Sequence, residues 1–363
     1  MIPHLGGGGA ERVVAQLAQH LDPQRFAIHL CVITADAPGA QPPPPWVQVH
    51  RLERKRVRQA WPEIIRLVRA VDPDIIFSGM AHLNFLLLLL KPLLPRRMRI
   101  LVRQNTTASS AASTRLARLP YRHLYPRADR VISQSEAMAT DLAENFNVPR
   151  GKRTFLANPI DVAAIRAAGA ASDDGWPSNA WPRMLSIGRL ASEKGIDLLL
   201  HAISEVRKEY PQIHIQILGA GPEEAALRKL SAKLQLETAV SFAGHRKNLN
   251  DYFNAATLFV LPSRYEGMPN ALLEAAAAGL PIVAAPCSAG LSELLRNAPG
   301  TWLASAISAK SLAESIHCAL STLEPFPESP QRFEHAFLAP FETSTAVAAY
   351  AALIESIAAE VRP

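Results

Sequence analysis

Cysteine is nearly absent: Cys31, Cys287 and Cys318 stand far apart in a chain of 363 residues. No Cys-x-x-Cys pair occurs and the number is odd, so neither a disulfide framework nor a zinc site is expected. Such usage fits a reducing cytoplasm. Long hydrophobic runs are missing too. The densest, 85–90, stops at Lys91 and Pro92, whereas about 20 apolar residues are needed to span a bilayer. The opening MIPHL, followed by four glycines, lacks the basic start and apolar core of a signal peptide. Acidic residues are sparse in the first half: residues 1–165 carry a strong basic excess and the remainder a mild acidic one, for a net +6. A basic half points to an anionic partner such as a phospholipid surface, a diphosphate-linked acceptor or nucleic acid. The alternative is an Arg-rich solvated surface with no partner.

What is present is an alternation of short apolar runs and helical patterns. Candidate strands are 27–33, 75–78, 99–102, 131–133, 184–187, 213–218, 240–243, 258–261 and 282–284, with helices such as 10–20, 62–71, 196–209, 222–233 and 269–278 between them. Short apolar strands separated by helices predict parallel sheets covered on both faces. The fold class is therefore α/β. At this length two domains are expected: 1–165, a linker over 166–182 where Gly, Ser, Asp, Asn, Pro and tryptophans interrupt the periodicity, 183–340, and an alanine-rich helix over 341–363 that could reach back onto the first domain. In a Rossmann-like domain a strand should precede the first glycine loop. Only five residues precede Gly6, so the first strand is either a stub or lies upstream of this start; the second reading is favoured.

Chemistry concentrates in the second half. In the run 263–274, SRYEGMPNALLE, the strand 258–261 ends at Pro262 and Pro269 suits the first turn of a helix that Gly279 closes. Gly267 and Met268 then place backbone N–H groups at a helix N-terminus on the carboxyl edge of a sheet, where anions bind. Glu266 and Glu274 are eight residues apart, roughly 12 Å if helical throughout. A bare pair of glutamates at that spacing is common and equally describes a solvated helix face. In 184–195, MLSIGRLASEKG, a strand meets a tight turn after Gly188, and Arg189 and Lys194 are held at its carboxyl end, where a cationic pair can neutralise a diphosphate. The turn LGAGPE (218–223) lacks the third glycine of a dinucleotide fingerprint and is read as a tight strand–helix turn. Asp72-Pro-Asp74 has the form of an Asp-x-Asp metal motif, but it lies at the amino end of a strand and its proline makes it a turn. No metal and no cofactor are expected.

The run 263–274 and the AGLPIVA that follows closely resemble the signature of family 4 retaining glycosyltransferases, and MLSIGRLASEKG fits the same pattern. The resemblance spans nearly the whole chain. It implies a GT-B architecture: two Rossmann-like domains facing across a cleft, acceptor on the first and nucleotide-sugar on the second. It implies that Arg189 and Lys194 contact the donor phosphates, that Glu266 orients the donor sugar and Glu274 the ribose, with Gly188, Gly267, Met268, Pro269 and Asn270 around them. Asn248 lies in the loop that meets the nucleobase. Gly8 and Gly9, in the GGGGAERVV segment, lie across from the phosphates. His82 follows a strand where relatives place a histidine near the reacting sugar, and a structural histidine is an equal reading. Arg103 and Asn105 resemble an Arg-Asn pair on the acceptor side.

The implied reaction moves a hexosyl or N-acetylhexosaminyl group from a nucleoside-diphosphate sugar, UDP foremost, to a saccharide acceptor with retention. Given the basic first half, that acceptor is expected to be lipid-linked, or a lipopolysaccharide or exopolysaccharide precursor, at the inner face of the cytoplasmic membrane. The basic cluster 50–58 and the arginines 115, 118, 122, 127 and 130, interleaved with Leu116, Leu119, Tyr121 and Tyr125, suit peripheral contact with anionic lipid or else a solvated face over core residues. An epimerase of the same fold and a non-catalytic binding protein remain open. A nucleic-acid partner is not expected, because no recognition motif is present.

Overall fold

A computed structural model describes residues 1–6, 8–36, 42–112, 114–167, 176–246, 248–326 and 330–360. The chain divides into two compact units, one made of Met1–Pro159 with Pro340–Pro363 and the other of Ile160–Ala339. The boundary thus falls ahead of the expected linker at 166–182, part of which (168–175) lies outside the described residues.

In the first unit, α1 (Gly9–His20) leads to β1 (His29–Val32) and β2 (Gln48–Arg51), followed by α2 (Trp61–Val71), β3 (Ile75–Ser78), α3 (Ala81–Leu90), β4 (Arg99–Arg103), α4 (Ala108–Ala111), α5 (Arg115–Leu124), β5 (Arg130–Ser133), α6 (Glu136–Phe146) and β6 (Arg153–Phe155). β3-β4-β5-β6 form one parallel sheet and β1-β2 another. Between them stands the chain's first segment: Ile2 bridges Val32 in parallel, and the Met1 nitrogen donates to the Phe77 carbonyl at 2.7 Å. A single bridged residue thus occupies the place of a central strand. The apolar runs of the sequence do not mark β2, β6 or the strand Thr301–Leu303 of the second unit. All three are edge strands with partly exposed residues, and they lack the continuous apolar run that marks a strand covered on both faces. Asp72 takes a left-handed conformation closing α2 and pairs with Arg97, and the Asp74 carbonyl accepts from Arg99 N. The Asp-Pro-Asp segment is a turn at the amino end of β3.

The helix Thr343–Ala359 belongs to this unit. Its Val347, Tyr350, Ala351 and Ile357 pack with Val13 and Leu17 of α1 and with Leu101 and Ile132 of the central strands. Tyr350 is 1% exposed and stands edge-on to Phe77 at 6.0 Å. Rim pairs Arg25–Glu355 and Arg130–Glu360 are half exposed and add little beside that apolar contact.

The second unit runs α7 (Val162–Ala167), β7 (Arg183–Ile187), α8 (Ile196–Val206), β8 (His214–Leu218), α9 (Glu224–Lys233), β9 (Val240–Gly244), α10 (Asn250–Ala255), β10 (Leu258–Leu261), α11 (Asn270–Ala277), β11 (Ile282–Ala284), α12 (Ala289–Leu295), β12 (Thr301–Leu303) and α13 (Ala309–Leu320). Its six strands are parallel in the order β9-β8-β7-β10-β11-β12. Counted within the unit this is 3-2-1-4-5-6, the doubly wound order in which ligands bind where the order reverses, outside the carboxyl ends of the first and fourth strands. Those strands are β7 and β10. α11 begins at Asn270, with Pro269 at the N-cap position, so only the second half of the Glu266–Glu274 interval is helical. The helix closes as the sequence implied, with Gly279 left-handed at φ 77°.

Tyr350→Ala should lower the stability of the first unit by about 3–5 kcal/mol, the range for removing a large buried aromatic ring, as read from denaturant unfolding. A loss below about 1 kcal/mol would mean that the helix 343–359 is not part of that core.

Candidate donor site and a second cavity

At the reversal point, β7 is followed by Gly188 and β10 by Pro262. The loop after β7 crosses directly onto β10: a Cβ on Gly195 would lie 2.1 Å from the Pro262 carbonyl oxygen, and Gly195 has φ +63°. Only glycine fits there. The consequence is that Lys194, one residue earlier, reaches Glu266, and its ammonium donates to Oε1. Ser263 Oγ donates to the same oxygen at 2.9 Å. Glu266 is 8% exposed; among the described residues nothing is recorded donating to its other oxygen.

Arg264 holds the two loops in register. Its guanidinium meets Asp197 in a two-pronged contact at 2.7 and 2.6 Å, its Nη1 donates to the Ser192 carbonyl at 2.7 Å, and its backbone N–H donates to the Glu193 carbonyl at 2.8 Å. The Arg264 hydrogen bonds hold the Asp197 carboxyl below the usual carboxylate range, against the opposing effect of partial burial. The turn after β8 braces the same spot: a Cβ on Gly219 would lie 1.9 Å from the Gly188 carbonyl oxygen, and Leu190 N–H donates to Ala220 O. Its glycines serve backbone packing, which accounts for the incomplete dinucleotide fingerprint.

Beyond Glu266, the buried Gly267, Met268 and Pro269 lead into α11, where Asn270 is the first residue and the buried Glu274 the fifth. No acceptor among the described residues is recorded for the N–H groups of Gly267 and Met268. Arg189, by contrast, has Glu193 as its recorded partner, and its side chain is 66% exposed. Asn248 is exposed in the loop after β9; it donates to Asp251 and accepts from Asn250 N at the start of α10. One residue that sequence reasoning did not single out joins the group. Cys287, 7% exposed, follows β11, the neighbour of β10. Its thiol is pushed up to about 12 by burial and by the Glu266 carboxylate, with Lys194 acting in the opposite direction.

The first unit carries its own concave site. Gly8 caps α1 and Gly9 opens it. A Cβ on Gly8 would lie 2.6 Å from Glu11 Oε2, so the missing side chain lets the Glu11 carboxylate fold back over the turn. Glu11 is 5% exposed and stands 3.7 Å from His4 Nε2. Both line a cavity of about 460 Å³ together with Lys55, Arg56, Arg58, Met80 and His82. His82, the second residue of α3, is held below the ordinary histidine value by desolvation at the cavity wall, with Glu11 pulling it up and His4 pushing it down.

Arg103, expected on the acceptor side, is enclosed in the structure. Arg103 is 1% exposed, and its guanidinium donates to Asn105 and Asn158 and interacts with Tyr350. A side chain so enclosed presents no surface to an acceptor. Asn105 donates to Gly79 O and accepts from Gln134, in the same internal network. Among the described residues, no group of three or more His, Cys, Asp or Glu side chains is placed to hold a metal ion.

Because its neutral form is favoured, the His82 imidazole should titrate below 6.5 in an NMR pH series. Glu11→Gln removes an attraction for the charged ring and should lower that midpoint further. A wild-type midpoint at or above 6.5 would contradict this placement.

Comparison with known proteins identifies the family. A model described as Glycosyltransferase Family 4 matches residues 7–164 and one described as Glycosyl transferases group 1 matches 181–322. An uncharacterized glycosyltransferase of Haemophilus influenzae is 31% identical over 180 residues, 48% of this chain and 47% of its own length. The chain thus spans about half of that relative. The N-acetylgalactosamine-N,N'-diacetylbacillosaminyl-diphospho-undecaprenol 4-alpha-N-acetylgalactosaminyltransferase of Campylobacter jejuni is 28% identical over 306 residues, covering 80% of each chain. Among solved structures, Anabaena HepE in complex with UDP superposes with a TM-score of 0.75 over 98% of both chains at 18% identity, a likeness of fold. With a doubly wound nucleotide-type sheet, the Lys194–Glu266 pair at its reversal point and two matching family models over most of its length, the chain belongs to the family 4, group 1 glycosyltransferases of GT-B fold.

Proposed function

We propose that the protein transfers a hexosyl or N-acetylhexosaminyl group, with retention, from a UDP-sugar to a lipid-linked saccharide used in polysaccharide or lipopolysaccharide assembly. The observation that carries the reading is the contact of Lys194 and Ser263 with one oxygen of Glu266 at the sheet's reversal point, beside the N–H groups of Gly267 and Met268. A nucleoside diphosphate leaving group develops negative charge, and preorganised cations and N–H donors stabilise that charge in the transition state. Lys194 and the N-terminus of α11 supply this, and Arg189, held only by an exposed pair with Glu193, can turn to the phosphates. With cations of the chain itself meeting the diphosphate, the reaction needs no metal ion. Glu266 orients the sugar hydroxyls with its second oxygen, Glu274 takes the ribose and Asn248 the base. The base is read as uracil by analogy with the UDP in the HepE structure, and the acceptor by analogy with the diphospho-undecaprenol named for the Campylobacter relative.

No helix among the described residues is long and apolar enough to cross a membrane. Peripheral contact is supported by α5, where Leu116 and Leu119 are 76% and 46% exposed among Arg115, Arg118 and Arg122. Basic residues flanking exposed leucines suit the surface of an anionic bilayer.

Incubation with a panel of UDP-sugars and membrane extract should release UDP and label a lipid-soluble product, unaffected by a chelator. Glu266→Gln and Lys194→Ala should each lower the rate by about 100-fold or more, the usual cost of removing one preorganised charge-stabilising group. Release of a free sugar without acceptor would instead mark an epimerase. Unchanged rates in both variants would remove the site assignment.

A further inference from the structure

The cavity of the first unit has a charge imbalance that the donor chemistry leaves unused. Glu11 is its single lining carboxylate, buried and already faced by His4. Lys55, Arg56 and Arg58, all exposed, line it as well. Their neighbours Arg51 and Arg54 are neutralised by Asp36 and Glu63. No carboxylate among the described residues is recorded within ion-pair distance of Lys55, Arg56 or Arg58. Three uncompensated cations within four residues repel one another, and a multiply charged anion relieves that repulsion.

Beside Thr34 and His82, the rest of the lining is apolar (Pro3, Val57, Met80 and Leu86), and α3 carries that character outward. His82 and Leu86 line the cavity. Leu89 and Leu93, on the same helix and the turn that continues it, are 60% and 53% exposed. Positions 82, 86, 89 and 93 follow the i, i+4, i+7, i+11 spacing of one helical face, a stripe roughly 16 Å long. The same helix buries Leu83, Leu87, Leu88 and Leu90; on the other face Leu86 is half-buried at the edge of the core, and Leu89 and then Leu93 extend it as exposed apolar surface. Residues 81–100 contain no acidic side chain.

We propose that this is the subsite for the phosphate–lipid junction of the acceptor: Lys55, Arg56 and Arg58 hold the diphosphate, and the stripe from Leu86 through Leu89 to Leu93 holds the first part of the hydrocarbon chain. The inference rests on the transferase reading above and extends it to how the acceptor is read. Charge and apolar length are recognised together, which neither a free phosphate nor a simple alcohol satisfies. The occupant is a single prenyl-type diphosphate, not the bilayer surface as a whole.

The full chain is titrated calorimetrically with geranylgeranyl diphosphate, inorganic pyrophosphate and, separately, UDP. Geranylgeranyl diphosphate should bind at least about tenfold more tightly than pyrophosphate, since even a few buried methylenes contribute that much. Combining Lys55→Ala, Arg56→Ala and Arg58→Ala should weaken it by about 100-fold. Leu89→Gln with Leu93→Gln should weaken it by about tenfold and leave pyrophosphate unchanged. UDP affinity should stay the same in both variants, which also reports that they are folded. Three results would overturn the proposal: equal affinity for the prenyl and inorganic diphosphates, full prenyl-diphosphate affinity in the triple variant, or binding to anionic phospholipid vesicles with none to geranylgeranyl diphosphate. Absence of UDP binding in the wild type would count against the donor reading instead, and the geranylgeranyl diphosphate arm would still decide this one.

Discussion

The candidate site of the second unit depends on one ion pair between two loops that are far apart in sequence. Lys194 and Glu266 meet because β7 and β10, the first and fourth strands of their unit, are neighbours in the sheet. Everything nearby serves that meeting. Gly195 allows the first loop to lie against the Pro262 carbonyl, Arg264 ties the second loop to Ser192, Glu193 and Asp197, and Ser263 fixes the carboxylate oxygen that Lys194 touches. A partly buried ion pair is weak as a source of stability because desolvation opposes the attraction. Its value here is geometric: it presets a cation and a carboxylate a hydrogen bond apart at the mouth of the sheet.

The first unit answers the same problem with neutral groups. Arg103 is buried with Asn105 and Asn158 as recorded partners and Tyr350 beside it, and desolvation lowers its pKa. Around it Asn84, Gln104, Tyr125 and Gln134 form a connected set of hydrogen bonds across β4 and β5. Fixed amide dipoles meet both terminal nitrogens of the guanidinium, which offsets part of the cost of burying it with so little charge compensation, while its Nε is buried with no recorded partner among the described residues. That network gives the Arg-Asn pair a structural role in this chain.

How much was legible follows from burial. β8, β10 and β11 are buried along their whole length and stood out as apolar runs, whereas β2 and β12 at sheet edges gave no such signal. Lys194 and Glu266 were found because each lies in a local motif. The bracing role of Arg264 was not, because it depends on Asp197, 67 residues earlier. Nor was Cys287, which reaches the pair only because β11 lies beside β10. The cavity in the first unit was visible only as a cluster of basic residues; which cations lacked a counterion required the positions of Asp36 and Glu63.

The two units also differ in how the chain supplies them. Residues 160–339 are one continuous stretch, while the first unit needs 1–159 and then the helix 343–359 to complete its core. During synthesis the domain nearest the N-terminus ordinarily closes first. Here the second unit can be finished on the ribosome while its predecessor still waits, with Val13, Leu17, Leu101 and Ile132 uncovered, for a segment translated some two hundred residues later.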